Sequence, residues 1–336
     1  MARESIEIRK AALRLEYIVK EYKKTTSNEK RDYKTYEEQF KIRLKKCFEE
    51  LEPLVDEAVN SIEILDFEQR GASRKLTLKQ EIMLLLLQKL FQKSNRSMSL
   101  MLVVFLWLSK IDISYKTIER KYSDSLVKIA IENLFTIILR KKGIIRIDAS
   151  GDGTGYSVNI SQHYATIAQR LKEKAKEISA SQKFIYSFAI MDLKSRLYVA
   201  YGTSLKSEKE AFLDAIEMLK RNGFQVDSIR LDRYFSCEVY ADLIQKEFGK
   251  VTLFLIPKTN FAHLGLGIWE NNALRFVDDP MSFLKEYFQR NQSESCISED
   301  KKRSGWKISQ KIPVRIDTAN FLNLIWHNLY WYGVEV

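Results

Sequence analysis

The chain has 336 residues, 45% of them hydrophobic, with 12 Gly, 4 Pro, 3 Cys and a formal net charge of +11. That length suggests two domains, or one large domain with a helical appendage, and the low Gly and Pro content excludes long flexible linkers. The charge points to a polyanionic partner, most often nucleic acid. The scattered Cys47, Cys237 and Cys296 make no metal or redox motif and read as reduced thiols of a cytosolic protein.

In chain order, the opening "MARESIEIRK" lacks the apolar core of a signal peptide. Residues 1 to about 60 are charged and helix-prone, with an apolar period near that of a helix. "LTLKQEIMLLLLQKLFQKS" (76–94) reads as a buried amphipathic helix. "SLMLVVFLWL" (99–108) is too short to span a bilayer and is expected to be a buried helix. A turn near 109–114 and a second helix bearing Lys116, Arg120 and Lys121 complete a helix-turn-helix pattern near residues 100–124. Its second helix would expose Tyr115, Lys116, Glu119 and Arg120 to DNA. An ordinary bundle with a basic face is the alternative. The reading is a helical, DNA-binding region over 1–142.

At Gly143 the texture changes. "IIRIDASGDGTGYSV" (144–158) is β-branched and then Gly-rich, and "KFIYSFAIMDLKSRLYVAYGTS" (183–204) reads as two strands around a tight turn. "SEKEAFLDAIEMLKRNG" is a helix with a capping box at Ser207 and Glu210 and a stop at Gly223. A strand ending at Asp232 follows, then a helix, the strand "KVTLFLIP" (250–257), an irregular stretch around "GLGIWENNALRFVDDP", and a late helix. Strand, hairpin, helix, strand, helix, strand, helix predicts an α/β fold. It would be a ribonuclease-H-like mixed sheet with flanking helices over 143–336, preceded by an all-α N-terminal region.

Three acids come in an order that could bring them to one sheet edge: Asp152 in "DGTG", Asp232 at a strand end and Glu294 on the late helix. Together they are hard oxygen ligands suited to two Mg²⁺ or Mn²⁺ ions and to phosphodiester chemistry. Singly, each has a plainer role: Asp152 as a turn residue, Asp232 as a helix cap, Glu294 as surface decoration. Asp148, inside the first strand, is the alternative first ligand. His163, His263 and His327 are too scattered for a zinc site, with His327 expected to be packed in a core or interface. The "GLG" at 265–267 lacks the context of a nucleotide loop.

The late stretch "EYFQRNQSESCISEDKKRSGWK" places Tyr287, Arg290, Glu294 and Lys301 at steps of 3, 4 and 7 residues. On one continuous helix they share a stripe about 60° wide. Such a stripe is either an exposed charge-paired face or a metal ligand flanked by phosphate binders. With "DGTG" and "LDRYFS" it resembles the DDE insertion-sequence transposases of the group marked by a Y-R-E-K pattern. The N-terminal segments resemble, less specifically, archaeal members.

The resemblance covers about residues 144–332. It implies a DNA transposase whose Asp152, Asp232 and Glu294 hold two Mg²⁺ or Mn²⁺ ions, and whose Tyr287, Arg290 and Lys301 hold transposon-end DNA. Lys302 and Arg303 extend that basic surface. Such an enzyme would cut the ends and join their 3′ hydroxyls to target DNA, with double-stranded DNA as partner, as a homo-oligomer. It would work in the cytoplasm at the nucleoid, away from membranes. A metal-dependent nuclease of the same fold and a non-catalytic DNA-binding descendant are the rivals.

Overall fold

The computed structural model describes residues 2–25, 32–62, 74–158, 184–261 and 264–333. The N-terminal part is helical: α1 (Ala2–Leu13), α2 (Leu15–Thr25), α3 (Tyr33–Asn60), α4 (Leu78–Leu90), α5 (Met98–Ser109), α6 (Tyr115–Lys121) and α7 (Ser125–Lys141). Asp32, Thr77, Ser114 and Asp124 stand extended before α3, α4, α6 and α7, and each side chain accepts a first-turn backbone N–H. These bonds satisfy donors the helix itself leaves open. Glu81 of α4 is buried between Arg74 at 2.8 Å and Lys121 at 2.6 Å, which ties α4 to α6.

The sheet has five strands in the order β3-β2-β1-β4-β5. They are β1 (Arg146–Ser157), β2 (Phe184–Asp192), β3 (Tyr198–Ser204), β4 (Gln225–Arg230) and β5 (Thr252–Phe254). β2 runs antiparallel to both β1 and β3, whereas β4 runs parallel to both β1 and β5. Helix α8 (Glu208–Asn222) links β3 to β4, and α9 (Glu238–Phe248) links β4 to β5. Then come α10 (Gly267–Asp278), α11 (Pro280–Tyr287), α12 (Asn291–Ser304) and α13 (Pro313–Tyr332).

α13 joins the helical and sheet parts. It is almost wholly buried from Ile316 on and packs against α3, α4, α7 and β3 within one continuous apolar core. Some of its polar groups bond the sheet and the turn between β2 and β3. Asn328 accepts from the Tyr198 N–H at 2.8 Å and donates to the Tyr198 carbonyl at 2.9 Å. His327 is buried as expected, between an Asp300 carboxylate oxygen at 3.0 Å and the Arg196 carbonyl at 2.7 Å. On the far side, α1 and α2 pack against α10 and α11 around a smaller cluster that includes Phe254, Phe276 and Phe283.

Four expectations need correction. Residues 99–108 do form a helix, α5, but not a buried one: Leu100, Val103, Val104 and Trp107 are exposed, and among the described side chains only Met98 and Leu102 are fully buried, with Phe105 partly so. A run that is apolar all round says what its side chains prefer, not which neighbours are supplied. The stretch expected to be irregular contains α10, which buries Trp269, Asn272 and Phe276. Asn272 there accepts from the Leu255 N–H and donates to the Leu255 carbonyl, replacing ladder bonds beyond the short β5. The capping box at Ser207 is half made. Ser207 accepts from the Glu210 N–H, but the Glu210 carboxylate turns away to the Ser204 hydroxyl at 2.8 Å. Finally, the α6 face is less open than expected. Lys116 and Arg120 are exposed, but Tyr115 is half-buried, and Glu119 is held by Lys116 at 2.8 Å and Arg315 at 2.9 Å.

Gly202 sets how closely α8 can approach the sheet. A Cβ there would lie 1.9 Å from the Ala211 carbonyl oxygen, which is backbone and cannot swing aside. Gly202→Ala should therefore cost about 1–3 kcal/mol through forced separation of α8 from β3. Thermal unfolding checks it, and a melting temperature equal to that of the wild type would refute this account.

Candidate active site

β1 and β4 place the first two acids. Their parallel register pairs Ser150 with Arg230. Carried two residues further, it sets Asp152 beside Asp232, and adjacent strands lie ~5 Å apart. β4 ends at Arg230, so Asp232 projects from a strand terminus, where its carboxylate also caps the following short turn by accepting the Arg233 N–H at 2.6 Å. The plain capping role and the site role coexist.

α12 brings the third acid across β1. Ser150 and Ser293, both fully buried, share a hydrogen bond of 2.9 Å, and side chains this small let the helix lie close on the strand. At the helix's other end, the Ser157 N–H donates to the Trp306 carbonyl, and the Ile308 N–H donates to the Ser157 carbonyl, each at 3.2 Å. Glu294, one turn into α12, faces the strand ends.

Arg290 stands among the acids. One guanidinium nitrogen donates to Glu294 at 2.5 Å and lies 3.6 Å from Asp232. Another, Nη1, is buried without a hydrogen-bond partner. Burial opposes the charge on Arg290, but Tyr287, Glu294, Asp232 and Asp152 outweigh it and raise its pKa. Burial pushes the Asp152 carboxyl up to about 7. Glu294 and Asp232 push the same way, against Arg290 and the Gly153 N–H. The three acids thus feel one another, whereas Asp148 lies apart. Four residues back on β1, it is exposed and accepts a short hydrogen bond from the Ser228 hydroxyl.

The Y-R-E-K residues are not one stripe on one helix. Tyr287 ends α11, and a 3₁₀ turn over Phe288–Arg290 precedes α12. The cause is Arg230, whose Nε takes the Glu286 carbonyl at 2.8 Å, the acceptor a continuing α-helix would offer to residue 290. Tyr287 is 5% exposed, with its ring packed among Phe254, Phe283 and Leu284. That leaves no face for a base to stack on. Its contact is with Arg290, whose guanidinium carbon lies 5.5 Å from the ring centroid.

Lys301 is also buried. Its ammonium donates to the Gly155 carbonyl at 3.1 Å and lies 4.7 Å from the Trp306 ring, and burial lowers its pKa to about 8 against the pull of Asp152. Arg303 pairs with Asp300 at 2.8 Å and lies over Tyr330, so it serves the core, whereas Lys302 is exposed. His163 and His263 lie outside the described residues.

One acid was not foreseen. Glu208, in the first turn of α8, reaches Gly153 from the opposite face of the sheet. A Cβ on Gly153 would lie 2.2 Å from its Oε1. Burial, then Asp232, raises its pKa. No spacing rule links Glu208 to the other acids, because only the packing of α8 on the sheet makes them neighbours.

Among the described residues, no three His, Cys, Asp or Glu side chains stand close enough together to hold a metal ion. No described helix is long and apolar enough to cross a membrane.

The site thus holds an aspartate within β1, an aspartate just past the end of β4, a helix-borne glutamate and a guanidinium bonded to the glutamate. Comparison with known proteins adds to this. No family model matches, but the chain is 40% identical over 283 residues to a probable transposase for insertion sequence element ISA1214 from Archaeoglobus fulgidus, covering 84% of each chain. The chain belongs to the insertion-sequence transposase family.

The raised pKa of Asp152 makes a stability prediction. The folded state holds a proton that the unfolded state has lost, so stability falls as pH rises from about 4 to about 7. Asp152→Asn removes that fall. In metal-free buffer its melting temperature should exceed the wild type's by about 2–4 °C at pH 8, and the two should converge near pH 4. An equal difference at both pH values would show that the carboxyl is not the cause.

Proposed function

We propose that this chain is a DDE-type DNA transposase with a ribonuclease-H-like catalytic domain. It would cut the ends of its element and transfer the 3′ hydroxyl to target DNA. The observation that carries the reading is the Arg290 guanidinium, bonded to Glu294 and 3.6 Å from Asp232, with Asp152 of β1 within range of their charges. The strand order, with an antiparallel hairpin beside a parallel pair, supports the fold. The relative's name supports the activity.

The donor set suits Mg²⁺ or Mn²⁺. All three groups are carboxylates, the hard oxygen donors these ions take. Asp152, Asp232 and Glu294 would hold the ions, which would activate the attacking oxygen and stabilise the leaving one. At present Arg290 satisfies Asp232 and Glu294, and its bonds to them would have to loosen for the acids to close together.

The other residues bind and position. The unpartnered Nη1 of Arg290 is a donor available to a phosphate oxygen beside the acids. Tyr287 holds Arg290 in place rather than touching DNA. Lys301 fixes the end of β1 through Gly155 and contributes positive charge near the acids. Lys302, Lys116 and Arg120 remain exposed cations for the DNA backbone. The open arrangement of the acids favours one rival in particular, a descendant that binds element ends without cutting them.

One assay separates the two: Mg²⁺- or Mn²⁺-dependent cleavage of DNA carrying the element's flanking inverted repeats. Glu294→Gln and Asp232→Asn should each lower cleavage by more than ~100-fold, the scale of losing a group that stabilises transition-state charge, while leaving end binding intact. Cleavage unchanged in Asp232→Asn would rule out the metal mechanism. Specific binding with no cutting by the wild type would establish the rival.

A further inference from the structure

A second feature lies beyond Lys301, on the other side of Trp306. Between α4 with its following loop and the segment after α12 is a cavity of about 340 Å³, a size that admits one small molecule. Lys89, Lys93 and Lys307 line it, with serines and glutamines, and no acid is among the lining residues. Trp306 forms part of its wall and is 42% exposed.

Two groups there are unsatisfied within the protein. Lys89 is 7% exposed, and among the described residues its ammonium has neither carboxylate nor hydrogen-bond acceptor. A lysine buried without a partner is costly and rare. Burial lowers its pKa to about 8. Gln88, 2% exposed, donates through Nε2 to the Lys93 carbonyl and to Asn95, but its Oε1 is buried with no donor. A fitting ligand would bring an anion to the lysines and a donor to Gln88. Inorganic phosphate brings both at neutral pH, through its charge and its remaining P–OH, but only a nucleotide also brings a base for the exposed Trp306 ring.

We propose that this cavity receives a single nucleotide of an unpaired DNA strand, its phosphate held by Lys89, Lys93 and Lys307. The route from the acids is short. Lys301 bonds the Gly155 carbonyl, three residues beyond Asp152, and touches the Trp306 ring of the cavity wall. A strand leaving the acids along this line reaches the cavity, where the Trp306 ring offers a flank for its base. The cavity is too small for duplex, so it distinguishes unpaired from paired DNA. The inference rests on the reading that the protein handles DNA, not on its chemistry.

The test is binding of full-length protein, in EDTA, to a labelled duplex with a short single-stranded tail and to the same duplex blunt-ended. Lys89→Met keeps the volume and removes the buried charge, so it should fold at least as stably as the wild type. It should bind the tailed DNA about five- to tenfold more weakly, with a salt slope reduced by about one phosphate contact, and bind the blunt duplex unchanged. Lys307→Gln, on another wall, should act likewise. Equal affinity of wild type and both variants for tailed DNA would overturn the proposal, as would an equal loss on both DNAs. So would stabilisation by inorganic phosphate that matches that given by a nucleoside monophosphate. If the wild type bound neither DNA, the transposase reading would fall too. Normal blunt-duplex binding with no effect of the tail would sink only the cavity.

Discussion

The Arg290 guanidinium is the contact on which the candidate site depends. Among the described residues it is the one cation that directly touches two of the three acids, and its side chain is only 12% exposed between elements far apart in sequence. Carboxylates gathered at strand ends repel one another across a medium less screening than water, and without a counter-charge they would splay or take up protons. The arrangement shows both responses at once. Arg290 draws Asp232 and Glu294 together, while burial first, and then the neighbouring acids, raise Asp152 to about 7 against the distant pull of Arg290.

That contact is held by packing beneath it. Arg290 follows a helix whose last ring, Tyr287, is locked in an apolar cluster, and the turn between them exists because Arg230 captures the Glu286 carbonyl and carboxylate. Arg230 is itself nearly fully buried on β4, two residues before Asp232. The same strand therefore presents an acid at its end and fixes the element that supplies its counter-ion. Ser150 and Ser293 make the equivalent join between β1 and α12. Each acid is thus borne on backbone that is anchored to the element bearing another.

What was legible in the sequence is what local pattern carries. β1 to β4, α8 with its Gly223 stop, and the place of Asp232 past a strand end follow from alternation, turn residues and caps, whereas Asp152, expected at or just past the end of the first strand, lies inside it. The i,i+4 pairing of Arg290 with Glu294 follows from helical spacing. What was not legible depends on which faces meet. The spacing of Tyr287 and Lys301 gives an azimuth but not what covers it, and both proved buried. The apolar run of α5 promised burial that no described neighbour supplies. Glu208 and Lys89 gained their meaning only from α8 crossing the sheet and α4 meeting the segment after α12. Asn272 completed a short β5 by a side-chain bond that no strand pattern contains.

The buried lysines reveal a division of labour. Lys301 has an acceptor, two aromatic rings and the field of Asp152, so its charge is answered within the protein. Lys89, on the cavity wall, has none of these among the described residues, and its low exposure cannot be explained by packing alone, since a methionine would fill the same volume without a charge to desolvate. An unanswered charge kept in a polar cavity of a transposase-family protein is more simply understood, on the proposed reading, as part of the grip on DNA. The helical part would then contribute to the catalytic centre directly. This agrees with the single core that α13 builds from both parts, because a shared core keeps the two walls of such a cavity at a fixed separation.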